Sequence, residues 1–198
     1  MPKSIIHILA VVLLIVLGIS TRFIFLIDGE SILPNFSAIG AVAIFGACYF
    51  KGLNKWIIPL AILWISDIIL NNVFYSQYYD GFQVFEDFWV YTSFIVAGLI
   101  AYKMMSKPSW GKLLLTGVTA GVVFYVISNF GVWMTGSLYP KTIAGLLASY
   151  EAGLPFFRNT ILGNIFYSFV LFGLYEFVIA PLFSVAQFKL FSTETTSI

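Results

Sequence analysis

Asn129–Asn164, NFGVWMTGSLYPKTIAGLLASYEAGLPFFRNTILGN, joins two long apolar runs and holds much of the polar chemistry of an otherwise oily chain. Asparagines and an arginine stand at both ends of this connection and inside the runs that it joins. In lipid such groups are costly unless they face a cavity or a partner. The reading of the whole chain turns on whether those runs are membrane spans, and on which side of the membrane the connection lies.

Composition answers the first question. The chain has 198 residues, of which 60% are hydrophobic and only 10% charged, with a mean hydropathy of +0.96. A soluble domain carries about 25% charged residues, so this is the composition of an integral membrane protein. A span takes ~20 apolar residues, which leaves room for about five to seven. The whole of 1–198 then reads as a single transmembrane domain. The apolar run that follows Lys3 continues through Ile27 without a small-residue cleavage site, and it reads as a retained span rather than a signal peptide.

Several functional classes are excluded at this level. A net charge of +1 gives no footprint for nucleic acid. One cysteine, Cys48, and one histidine, His7, cannot make a Cys/His zinc site. Cys48 lies in an apolar run and reads as a small buried hydrophobe. There is no phosphate-cradling glycine loop, no HExxH and no Ser/His/Asp set. The expectation is a protein that is not an enzyme, needs no cofactor, and draws any ATP energy from a partner.

Six apolar segments follow one another: Ile5–Ile27, Ser37–Phe50, Trp56–Leu70, Phe88–Met104, Leu113–Met134 and Pro155–Phe183. The second is short for a span and reads as tilted or re-entrant, a form tolerated where protein covers its ends. Its Ala38, Ala41, Ala43, Gly46 and Ala47 suit close packing. Charges between the segments alternate in sign. Lys3, Lys51, Lys55, Lys103, Lys107, Lys112 and Lys189 fall on one side, and Asp28, Glu30, Asp80, Glu86 and Asp87 on the other. The positive-inside rule then predicts six crossings with both termini in the cytoplasm. Arg22, Lys141 and Arg158 are the basic exceptions. In the Thr135–Leu154 connection, Ile143, Leu146, Leu147 and Tyr150 recur at helical spacing. They predict a short amphipathic helix at the outer surface, placed to act as a lid.

Rise per residue converts this topology into depth. Arg22 lies ~7.5 Å inside the outer end of the first span, Asp67 at a similar depth in the third with Asn71 at its mouth, and Asn164 ~13 Å below the start of the sixth. Polar residues from four spans thus share the outer half of the membrane. The predicted pocket takes Asn129, Trp133, Tyr139, Arg158, Asn159 and Asn164 as substrate-binding residues, with Arg22, Asp67 and Asn71 ordering it. Phe74, Tyr75, Tyr78, Tyr79, Phe130 and Phe157 are candidates for its aromatic walls. Each residue also has a structural reading: Arg22 snorkelling, Asp67 paired with Arg22 or Arg158, the asparagines as interhelical hydrogen bonds, and Trp133 in an interfacial belt.

Five stretches carry a family resemblance: Leu33–Phe50 (LPNFSAIGAVAIFGACYF), Ile65–Asp67 (ISD), Ser128–Trp133 (SNFGVW), Tyr139–Tyr150 (YPKTIAGLLASY) and Leu154–Asn164 (LPFFRNTILGN). Together they resemble an uncharacterised bacterial family described as membrane transport proteins. That family is in turn distantly similar to the substrate-binding S components of energy-coupling-factor (ECF) vitamin transporters. The resemblance implies an all-α, S-component-like bundle of six transmembrane helices in the bacterial inner membrane, with both termini inside. It implies uptake of a small-molecule substrate, a vitamin or similar micronutrient, bound near the outer face. It also implies a transmembrane coupling protein with ATPase subunits as partner, beside the lipid bilayer itself. The competing expectation is a structural subunit of a larger membrane complex, whose outer half would be solidly packed.

Overall fold

A computed structural model describes residues 3–27, 30–85 and 88–182. Asp28, Glu86, Asp87, Phe183 and Lys189 lie outside the described residues. Among these residues six principal helices follow in order: α1 (Lys3–Phe23), α2 (Ile39–Tyr49), α3 (Asn54–Ile69), α4 (Phe88–Met104), α5 (Trp110–Thr135) and α6 (Ile143–Gly173). α3 continues through a π-helical turn, Leu70–Phe74, and α6 through another, Leu174–Ile179. Regular structure among the described residues is otherwise limited to the 3-10 turn Ser76–Tyr78, the short helix Ala180–Leu182 and an antiparallel ladder pairing Leu26–Ile27 with Glu30–Ser31.

Among the described residues, three helices are long and apolar enough to cross a membrane: Asn54–Phe74, Trp110–Thr135 and Ile143–Ile179. Val11–Phe23, Ile39–Tyr49 and Phe88–Met104 are shorter apolar helices. Val12, Val16, Ile57, Leu99, Leu115 and Phe166 stand exposed on the outer faces of their helices, a surface matched to lipid rather than to water. The chain is a membrane protein.

α2 lies at the centre. It touches each of the other five principal helices, and Ala41–Ala47 are all buried. At 11 residues it rises only ~16 Å, about half of the hydrocarbon thickness. A helix apolar on every face needs protein all around it, and small side chains let its neighbours close in. The Leu26–Ile27/Glu30–Ser31 ladder and the irregular turn at 32–38 lie between α1 and the start of this helix.

α5 and α6 form a long antiparallel hairpin in constant register. Gly117 meets Ile165, Gly121 meets Ile161, the Tyr125 ring meets Phe157, and Asn129 meets Gly153. Each step of four along one helix is matched by four in reverse along the other, the signature of ridges set by residues four apart. The helical spacing read in Thr135–Leu154 is real, but the separate lid helix is corrected. Ile143 begins α6 itself, which runs through Pro155 without a break. Proline is favoured at a helix start, so Pro155 marked the wrong boundary. The connection shrinks to seven residues, Gly136–Thr142. Thr142 caps α6 by accepting from Gly145 N at 3.1 Å, and Lys141 Nζ donates to the Trp133 and Gly136 carbonyls at the end of α5. That cation, an exception to the charge alternation, serves a helix C-terminus.

Candidate ligand-binding cavity

A cavity of about 450 Å³ lies at one end of this helix assembly. Its walls come from the end of α1 (Thr21, Arg22), the start of α2 (Ile39, Gly40), the latter part of α3 (Leu63, with Leu70 beyond it), and α4 (Val90, Phe94). The C-terminal half of α5 (Phe124, Tyr125, Asn129) and the stretch of α6 from Ser149 through Phe156 to Thr160 complete them. Tyr139 reaches it from the α5–α6 turn. The volume falls in the range of small-molecule sites, and the mixture of aromatic walls with scattered polar groups is the usual composition of one.

One side is backbone rather than helix. Leu33, Pro34, Asn35, Phe36 and Ser37 line the cavity in an irregular turn, with Asn35 at φ 65°, a left-handed conformation that asparagine tolerates. The turn is held from three directions. Asn159 Nδ2 donates to Pro34 O at 3.0 Å, Ala38 N donates to Thr21 Oγ1 at 2.9 Å, and the backbone of Phe36 and Ser37 rests on Gly163 of α6. Non-helical backbone within a membrane protein needs such cover.

Two asparagines are fitted into the walls through glycines. Asn129 donates from Nδ2 to Tyr125 O at 2.9 Å and lies over Gly153, where a Cβ would collide with its amide. Asn164, buried, donates to Gly117 O at 3.3 Å, and its Oδ1 occupies the space a Cβ on Gly40 would need. Each amide is steered by one backbone bond, and both residues line the cavity. Ser149 Oγ donates to Asn129 O at 2.9 Å, fastening the two helices at the same level.

The charged groups form a lock beside the cavity. Asp67 is 1% exposed. One carboxylate oxygen pairs with Arg22, and the other accepts from Tyr91 Oη at 2.7 Å. Arg22 also donates to Ser66 Oγ at 2.7 Å. Pairing with added hydrogen bonds is what allows a carboxylate to be buried. Arg22 is the one charged side chain among the described residues lining the cavity, and Asp67 neutralises it.

Of the residues predicted from sequence, Asn129, Tyr139, Asn164 and Arg22 line the cavity, as do Tyr75 and Phe157 of the aromatic set. The others lie elsewhere. Arg158 is exposed on α6, and Trp133 donates to Pro140 O at 3.0 Å within the α5–α6 turn. Asn159 holds the Pro34 turn, and Asp67 sits behind Arg22. Asn71 is buried in the π-helical turn with its Oδ1 lacking a hydrogen-bond partner among the described residues. Phe74 stacks on Phe23 and Phe130 meets Trp89 edge-on. Sequence reading missed Phe36, Phe94, Phe124, Tyr125 and Phe156 as lining residues. A helical stripe through Ala120, Phe124, Ser128 and Val132 carried that signal.

Residues 3–186 match a family of unknown function. The chain belongs to the DUF6580 family. No curated protein and no solved structure matches it. The DUF6580 match includes every element that lines the cavity, so the site is described on residues that the family assignment covers.

Proposed function

We propose that this DUF6580 member is a multi-pass inner-membrane protein that captures a small, electrically neutral molecule from the outer side, as the binding component of an uptake system. The observation that carries the reading is the cavity itself. All six principal helices contribute walls, and the one charged lining group among the described residues is already neutralised. A fixed net charge on the substrate would find no free partner there. Aromatic faces with amide and hydroxyl groups suit a planar, polar-edged molecule instead.

The orientation rests on charge. Lys51, Lys55, Lys103, Lys107 and Lys112 flank the helix ends remote from the cavity. Six crossings with both termini in the cytoplasm keep those lysines inside and turn the cavity outward. The resemblance to S components points to the same arrangement, with a transmembrane ATPase module as one source of energy. A chamber of small-molecule size, walled by aromatic rings with amide and hydroxyl groups, suits a binding role better than a purely structural one.

A screen of neutral heteroaromatic compounds by thermal shift in detergent tests the proposal. Binders of the native state raise the melting temperature with concentration. The shift is expected to vanish in Ala152→Trp, which fills the chamber from α6. A ligand-dependent shift that survives this substitution places binding elsewhere and contradicts the site.

A further inference from the structure

A second cavity, of about 160 Å³, lies between α2, α3 and α4. Ile39, Ala43, Leu63 and Phe94 line both cavities, so these side chains stand between the two. From that partition the second cavity runs past Leu60 and Pro59 to Lys55 and Trp56 at the lysine-bearing end of α3. Trp56 packs over Gly98 and meets the Tyr102 ring at 6.2 Å, while Lys55 Nζ sits 3.9 Å from the Tyr102 ring centroid. The two voids, taken in line, extend from the chamber at one end to the charged residues at the other.

We propose that this pair of cavities is a transport route through the chain's own helices, with the Phe94 ring as the gate between an outer binding chamber and an inner vestibule. The proposal rests on the outward-facing chamber argued above and adds a path for its ligand. Phe94 is the largest side chain in the partition. It leans on Phe124 with ring centroids 5.3 Å apart, at a wall where Ala43 offers little bulk. A rotamer change of one ring is a fast, local motion that joins the two spaces without moving a helix. The lining of the inner space is apolar down to Lys55 and Trp56, so a neutral molecule crosses it more readily than an ion. A chain built this way releases its ligand inward without turning over in the membrane.

Cysteine accessibility tests the route without knowledge of the ligand. In a Cys48→Ala background, Ser128→Cys reports on the chamber and Leu60→Cys on the vestibule. The probe is a small, uncharged, membrane-impermeant thiosulfonate carrying hydroxyl groups, applied from either side of oriented vesicles. With Phe94 in place, Ser128→Cys is expected to react from outside only and Leu60→Cys from inside only. Phe94→Ala is expected to abolish that sidedness at both positions, and Phe94→Leu to weaken it while disturbing the fold less. Leu60→Cys that reacts only with a lipid-soluble maleimide shows a vestibule open to lipid and overturns the route. Unchanged sidedness in both Phe94 variants overturns the gate. Reaction of Ser128→Cys from the inside alone overturns the outward-facing chamber, a distinct failure that refutes the proposed function and the route with it.

Discussion

At the lysine-bearing end of the molecule, Phe45, Tyr49, Phe172 and Tyr175 interlock with ring centroids 4.4–5.3 Å apart. At the other end, Phe36, Phe94, Phe124, Phe156 and Phe157 surround a cavity of about 450 Å³. The same kind of side chain makes a closed core in one place and an open chamber in the other. The difference lies in what spaces the helices. At the packed end, the rings of α2 and α6 meet one another directly. At the hollow end, the Pro34 turn, the Asn129–Gly153 contact and the Arg22–Asp67 pair fasten the walls around the cavity rather than rings meeting across it.

Each end also buries a carboxylate, and the pairing differs. Asp67 has Arg22 and Tyr91. Glu176, 5% exposed, accepts from Tyr49 Oη and has no ion-pair partner among the described residues. The first is a cross-brace between α1, α3 and α4, and the second a hydrogen bond between α2 and the π-helical turn that continues α6.

The largest expected effect on stability contrasts the two ends with one substitution. Phe172, with no exposure, loses about 3–5 kcal/mol on truncation to alanine. Phe156, 44% exposed, already borders empty space and loses roughly 1 kcal/mol. Denaturant or thermal unfolding in detergent measures both, and equal losses would break the comparison. Next come the carboxylates. Asp67→Ala strands Arg22 and costs about 3 kcal/mol or more. Glu176→Gln keeps an acceptor for Tyr49 and costs under about 1 kcal/mol. A larger loss from Glu176→Gln than from Asp67→Ala would show that the lysine-bearing end depends on charge. Smaller still is Asn159→Ala, which frees the Pro34 turn. The same unfolding measurement should show about 1 kcal/mol lost, with faster hydrogen exchange at Phe36 and Ser37 as its specific mark. Arg158→Ala, on the exposed face, should fall within about 0.5 kcal/mol of the parent and leave ligand binding unchanged.

How far these features were legible in the sequence follows from the physics that marks them. The apolar runs announce helices, because burial in lipid demands them over long stretches. The buried Asp67 was legible as a pairing candidate, since a lone carboxylate at that depth needs a cation. The outer cluster was half legible. Asn129 and Asn164 stand out as amides in oily helices, and both line the cavity. Arg158 stands out equally and does not, since each residue along a helix turns the side chain by about 100° and depth alone fixes no face. Phe156 was hidden because an aromatic in a membrane helix looks the same whether it faces lipid or a chamber, and for Phe124 only the stripe it shares with Ala120, Ser128 and Val132 gave a hint. The Leu33–Ser37 wall was hidden for another reason. Irregular backbone leaves no period, and only the Pro34–Asn35 pair signals a turn.

Native mass spectrometry of the intact protein, released gently from detergent, tests the central claim most directly. The parent chain is expected to carry one small neutral molecule as added mass. Ala152→Trp is expected to carry none while unfolding at an unchanged temperature. An added mass that persists in Ala152→Trp, or a parent chain that takes up none of the compounds that raise its melting temperature, would contradict the chamber as a binding site.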